Sequence, residues 1–239
     1  MNVHQIGFYS RLVLHSVTGS PSLFVLSYPR SGSSWLSRML STSTGIPYGR
    51  NHSLFVPQII HLHRYFLPSL IKSRTAYIVR DVRDVFLSYS SALLSDIRKK
   101  NISKQQLLGL FGVSPEDLDA KNPKYSVFVR NLMQTRHVSI NWKEHVRLSS
   151  KYGFVRIRYE DLLKYPEKTL SDLLEQLNIL ASVELFKVVT EHQISKEKMR
   201  GLPVRTGGVE KWKQFSDCTW VDVVSNWAHT ELAMLDYEV

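Results

Sequence analysis

The sequence predicts an α/β fold in which a central parallel β-sheet is flanked by helices. Three observations carry that expectation. Short apolar runs recur along the chain, and each leads into a loop of small or charged residues. Between those runs the apolar residues shift to helical spacing, and strands alternating with helices build a parallel sheet. The 239 residues, 43% hydrophobic and 22% charged, suffice for one sizeable core. No repeat, low-complexity tract or Pro/Gly/Ser-rich linker divides the chain. A single domain over residues 1–239 is therefore expected, with its core at about 22–215 and a helical cap at about 216–239.

The elements follow in order. Leu23-Phe24-Val25-Leu26 opens a strand at 23–27, continuous in apolar residues as a strand buried on both faces must be. Trp35, Leu36, Met39 and Leu40 then recur at helical spacing, giving a helix at 33–40. Further strands are expected at 56–60, 75–79 and 154–158, and further helices at 84–97, 127–149 and 167–177. The polar segment 98–125 reads as a partly helical excursion or lid. The last third, 181–239, reads as mostly helical, with a basic loop at 194–216.

Charge narrows the function. Lys and Arg number 31 against 21 Asp and Glu, a net charge of +10 that suits either a basic surface or a cleft for an anionic ligand. The cations stand in loop motifs rather than along one helix face, which argues against nucleic acid. One cysteine, Cys218, excludes an internal disulfide and a cysteine metal site. Nine histidines lack any metal-like spacing, so no metal is expected. Residues 1–20 hold no sustained apolar stretch, so neither membrane insertion nor export is expected, and a cytoplasmic protein is the default.

Three segments combine small residues with fixed cations. Tyr28-Pro29-Arg30-Ser31-Gly32-Ser33-Ser34-Trp35 follows the first strand and opens a helix, an arrangement that aims backbone N–H groups and a helix dipole at an anion. It is no kinase-type loop, since Gly-x4-Gly-Lys-Ser/Thr occurs nowhere. Arg80-Asp81-Val82-Arg83-Asp84-Val85-Phe86-Leu87-Ser88 follows another strand, with Ser88 about two helical turns beyond Arg80. Arg205-Thr206-Gly207-Gly208 closes the set.

Taken in order, these segments resemble the sulfotransferases that use 3′-phosphoadenosine 5′-phosphosulfate (PAPS). That family has Tyr-Pro-Lys-Ser-Gly-Thr-x-Trp, Arg-(Asp/Asn)-x-(Lys/Arg)-Asp-Val-x-x-Ser, a Tyr-Glu-Asp-Leu box and an Arg-Lys-Gly loop. Here Tyr159-Glu160-Asp161-Leu162 supplies the third element, and Trp212 stands seven residues beyond Arg205 as in the family. The resemblance spans residues 23–213 and implies a P-loop-like sulfotransferase fold with PAPS as donor, PAP as product and no metal. It implies that Arg30 faces the sulfuryl group, that Ser31, Gly32, Ser33 and Ser34 wrap the 5′-phosphate, and that Trp35 and Tyr159 meet the adenine. Arg80, Ser88 and Arg205, with Thr206 and the Gly207 backbone, would clamp the 3′-phosphate. The acceptor would be a small molecule or a glycan.

The family's base is a His in a segment ending in Leu-Pro, and His61 lies seven residues before Pro68. A neutral imidazole suits removal of a proton from an acceptor hydroxyl. His63 is the competing candidate, and a structural role for His61 is also open. Three positions depart from the family: Ile59 replaces a Lys two residues before the base, Ser195 stands near an adenine-stacking aromatic, and Thr206 replaces the Lys of Arg-Lys-Gly.

Overall fold

The computed structural model describes residues 23–48, 58–63, 74–134, 140–193 and 208–239. These fall into two compact units, Met1–Val79 with Leu148–Gly207 and Arg80–Arg147 with Gly208–Val239. The first unit holds the sheet. Its strands are β1 (Leu23–Leu26), β2 (Ile59–Leu62), β3 (Thr75–Val79) and β4 (Val155–Arg158), in the order β2-β1-β3-β4 and all parallel. β1 and β3 are the inner strands and every residue in them is buried, which is why they read as unbroken apolar runs. β4 is an edge strand and carries exposed Arg156, a charge that discourages pairing with another strand.

Helix α1 (Ser33–Thr44) presents Trp35, Leu36, Met39 and Leu40 to the β1 and β3 side chains. The same core takes Leu162 together with Leu170, Leu173, Leu174 and Leu177 from the segment after β4. Burying a leucine side chain contributes about 1.5–3 kcal/mol, so this layer is a principal support of the loop between β1 and α1.

The second unit is helical. It contains α2 (Val82–Arg98), α3 (Lys104–Phe111), a 3₁₀ turn at Glu116–Leu118, α4 (Tyr125–Gln134), a 3₁₀ turn at Lys211–Phe215 and the long helix Thr219–Met234. Aromatic pairs join it: Phe111 and Phe128 centroids lie 5.4 Å apart, and those of Tyr125 and Trp220 5.3 Å apart. The expected excursion over 98–125 is thus packed structure, with Leu107, Phe111 and Leu118 buried. No helix among the described residues is long and apolar enough to cross a membrane.

Two expected elements are corrected. The strand expected at 56–60 is seen at Ile59–Leu62; Val56 and Pro57 lie outside the described residues, and the pairing with β1 runs on through His61 and Leu62. The single helix expected at 127–149 is two helices, Tyr125–Gln134 and α5 (Trp142–Tyr152). Asn141 starts the second: its Oδ1 accepts from Glu144 N at 3.0 Å while its own N–H donates to Glu144 at 3.3 Å. That reciprocal box satisfies helix-start donors and makes Asn141 a boundary rather than an interior residue.

Candidate active site

One candidate cluster is built where β1 ends, in the sheet-bearing unit. Tyr28 O accepts from Ser31 N–H at 3.3 Å, turning the chain, and Arg30 is held at φ 73°. A left-handed backbone is costly for arginine, and such strain persists where surrounding structure enforces it. Gly32 follows at φ 97° as the N-cap of α1. Glycine is required there twice over: a β-carbon would adopt a strained backbone and would come within 2.5 Å of the Tyr159 ring. Gly32 offers no side chain to cap α1, and while Trp35 N–H donates to the Gly32 carbonyl at 3.0 Å, the Ser33 and Ser34 N–H groups take no capping side chain at the positive end of the helix dipole. Ser31 Oγ is buried and has no hydrogen-bond partner among the described residues. Together these features suit an anion.

Trp35 lies in the first turn of α1, its ring 6.0 Å from that of Tyr159 and at 67° to it. Its indole N–H donates to the His192 carbonyl at 2.7 Å, and the His192 Nε2 is 2.7 Å from Thr42 Oγ1. The ring is therefore fixed by a residue from the far end of the unit, a role the sequence does not announce. Tyr159 opens the helix Tyr159–Lys164 directly after β4, which is how it reaches Gly32.

His61 and His63 stand at the end of β2, beside β1. His61 Nε2 lies 2.6 Å from Ser33 Oγ, and the two imidazole centroids are 4.4 Å apart. His63 Nδ1 donates to the Ser27 carbonyl at 3.0 Å. Burial, aided by the charge of a protonated His63, brings the His61 pKa down to about 3. His63 is also lowered, by burial first and by the Arg30 charge, against a raising effect of the Ser27 carbonyl. Both rings are neutral at physiological pH as a result. Ile59 is buried in the core at the start of β2.

A separate cluster, in the helical unit, begins one residue after β3. Asp81 caps α2, accepting from Arg83 N–H at 2.9 Å, and the fully buried Arg83 grips the same carboxylate with Nε and Nη2. Arg83 also donates to Ser225 Oγ and to the Glu238 carbonyl, and lies 3.6 Å from the centroid of the Trp212 ring. Arg80 Nη2 donates to the Gly208 carbonyl at 2.9 Å and lies 3.6 Å from Asp84 Oδ2. Asp84 Oδ1 accepts from Trp212 N–H at 3.1 Å. Burial raises the Asp84 pKa, opposed first by the Arg80 charge. Ser88 is one turn along α2 from Asp84 and so shares its face.

The structure thus gathers Arg30, Ser31, Gly32, Ser33, Ser34, Trp35, Tyr159 and His61 in one unit, and Arg80 and Ser88 in the other. Arg205, Thr206, Gly207 and Ser195 lie outside the described residues. The sequence did not mark His192 or Arg83 as holding residues. The pairing Asp81-x-Arg83 at a helix N-cap was a legible signal for the second.

The sulfotransferase domain family matches residues 47–229, which includes the second, third and fourth motifs and starts beyond the Arg30 loop. No curated protein sequence matches the chain significantly. Among solved structures it resembles mouse sulfotransferase SULT7A1 complexed with PAP, at 18% identity and a TM-score of 0.64, covering 94% of this chain and 89% of that one. It also resembles retinol dehydratase in complex with androsterone and inactive cofactor PAP, at 15% identity and a TM-score of 0.59, covering 92% and 82%. A complex of retinol dehydratase with retinol and PAP aligns at 14% identity and a TM-score of 0.57, covering 92% and 83%. With the domain matched over most of its length and the fold shared end to end, the chain belongs to the sulfotransferase family.

Proposed function

We propose that this sulfotransferase takes its sulfuryl group from PAPS and delivers it to a hydroxyl or amine acceptor, with His61 as general base. The observation that carries this reading is the 2.6 Å contact between His61 Nε2 and Ser33 Oγ, which sets a neutral imidazole against an uncapped helix N-terminus. The buried, partnerless Ser31 Oγ supports an anionic occupant of the loop. PAP in the three similar structures supports the same donor, and the androsterone and retinol held by retinol dehydratase support a small acceptor.

When bound, the donor supplies an activated sulfuryl group on a phosphate leaving group. Arg30 and the loop N–H groups would balance the charge that grows on the leaving oxygen. Ser33 and Ser34 would orient the 5′-phosphate, and Trp35 and Tyr159 would flank the adenine. Arg80, Ser88 and Arg205, with Thr206 and the Gly207 backbone, would hold the 3′-phosphate and so reject nucleotides that lack it. His61, already neutral, needs no prior deprotonation to accept the acceptor's proton. Negative charge arriving at the loop raises the affinity of Nε2 for that proton.

A second reading places the base at His63. Its Nδ1–H is committed to the Ser27 carbonyl, which leaves Nε2 as the proton acceptor. Alanine replacement of each histidine in turn separates the two, since only loss of the base removes turnover while sparing nucleotide binding.

A thermal-shift titration with PAP, ATP and AMP tests the donor. At about a hundred times the dissociation constant, a ligand adds roughly 2.7 kcal/mol to stability. A shift with PAP alone is expected; a shift with ATP instead, or with no nucleotide, overturns the assignment.

A further inference from the structure

Resting on the adenine placement proposed above, we propose that His192 is a positioning residue for the nucleotide base, acting through Trp35 and anchored by Thr42. His192 is buried and stands as the C-cap of the short helix Leu185–Glu191. Three of its polar groups meet partners within the sheet-bearing unit. Its backbone N–H donates to the carbonyl of Val188, a core residue, at 3.0 Å. Its carbonyl accepts from the Trp35 indole at 2.7 Å, and its ring Nε2 lies 2.7 Å from Thr42 Oγ1.

Trp35 and Thr42 are seven residues apart on α1, about two helical turns, and so share one face. One histidine thus spans the first and last turns of α1. The segment entering the short helix is tied to α1 as well: Ser182 N–H and Oγ both donate to the Ser43 carbonyl, at 2.6 and 3.0 Å. Residues 182–192 therefore lie along α1 as a splint fastened at both ends. The two bonds of His192 to α1 have different tasks. The carbonyl orients the indole, which stands at 67° to the Tyr159 ring. The imidazole, held at Thr42, keeps that carbonyl in its place on the helix. An indole fixed beforehand meets the base without giving up freedom of its own, and such preorganisation is read as affinity. The gain belongs to the base and not to the phosphates, which the loop and the Arg80 cluster would hold.

The purely structural alternative makes His192 a packing residue, whose loss lowers stability without favouring one ligand over another. Calorimetric titration with PAP and with ribose 3′,5′-bisphosphate, which lacks the base, tells the two apart. His192→Ala and the conservative Thr42→Val should each bind PAP about fivefold more weakly, the worth of one hydrogen bond. Both should bind the ribose bisphosphate as the wild type does. Combining them should cost no more than either alone, because both remove the same link. His192→Gln, which can still reach the Thr42 hydroxyl, should restore PAP binding. Thr44→Val removes a hydroxyl of the same turn that bonds the Leu40 carbonyl instead, and should change neither ligand. Unchanged PAP binding in the two variants, or equal losses for both ligands, overturns the role of His192 and leaves the donor standing. A wild-type chain that binds PAP no more tightly than the ribose bisphosphate overturns the adenine placement and this role with it. A wild-type chain that binds neither overturns the donor itself.

Discussion

The loop after β1 and the segment after β3 both suit anions, yet they are built in opposite ways. The first uses backbone N–H groups, serine hydroxyls and two imidazoles that burial keeps uncharged, together with the fixed cation Arg30. The second is dense in charge: Arg80, Arg83, Asp81 and Asp84 are all buried and grip one another before any ligand arrives. A loop of dipoles leaves its field open for a group whose charge changes during reaction. A cluster of paired charges is suited to holding a phosphate that stays the same.

That contrast can be broken most forcefully at Arg83. Arg83→Met removes the guanidinium that grips the buried Asp81 carboxylate and should cost about 3–5 kcal/mol of stability, read as a lower urea midpoint. A loss below 1 kcal/mol would mean the cluster is not pre-paired as described. In the loop the corresponding change is Gly32→Ala, which imposes a strained φ and displaces Tyr159. We expect about 1–3 kcal/mol of destabilisation together with weakened nucleotide binding, measured by melting with and without PAP. An alanine variant that binds PAP as tightly as the wild type would deny the loop its special geometry.

The uncharged imidazoles give a pH signature that the charged cluster does not share. Above pH 6.5, His61 is neutral in both folded and unfolded chains and contributes nothing to pH dependence. Between 6.5 and about 3 the unfolded chain takes up a proton that folded His61 refuses, so stability falls as pH falls. His61→Asn should therefore flatten the decline measured by denaturation at pH 7, 6, 5 and 4. The smallest effect belongs to Lys213→Ala, whose partners Glu210 and Glu238 are exposed, and which should leave the melting temperature unchanged.

Legibility from sequence follows the same divide. β1 and β3 were readable because strands buried on both faces must be apolar throughout. The Arg30 loop was readable only in company with the Arg80, Tyr159 and Arg205 motifs, since a turn of small residues alone is more often structural. β2 was placed too early because an apolar run does not reveal where pairing with a neighbour stops; here it continues through a histidine. The helix break at Asn141 was legible in principle, as Asn followed three residues later by Glu, but apolar periodicity on either side masked it. The tie from Trp35 to the His192 carbonyl depends on tertiary approach alone, and no local pattern encodes it.

The hydrogen bond from the Trp35 indole to His192 has an optical consequence. Of the five tryptophans, Trp35 is the one in the sheet-bearing unit, the others being Trp142, Trp212, Trp220 and Trp227. An indole whose N–H is held by a carbonyl, edge-on to a tyrosine, emits from a single defined environment rather than from a spread of them. With the other four replaced by phenylalanine, its fluorescence would follow events at the first turn of α1 in real time. The chain therefore carries its own stopped-flow probe at the mouth of the loop.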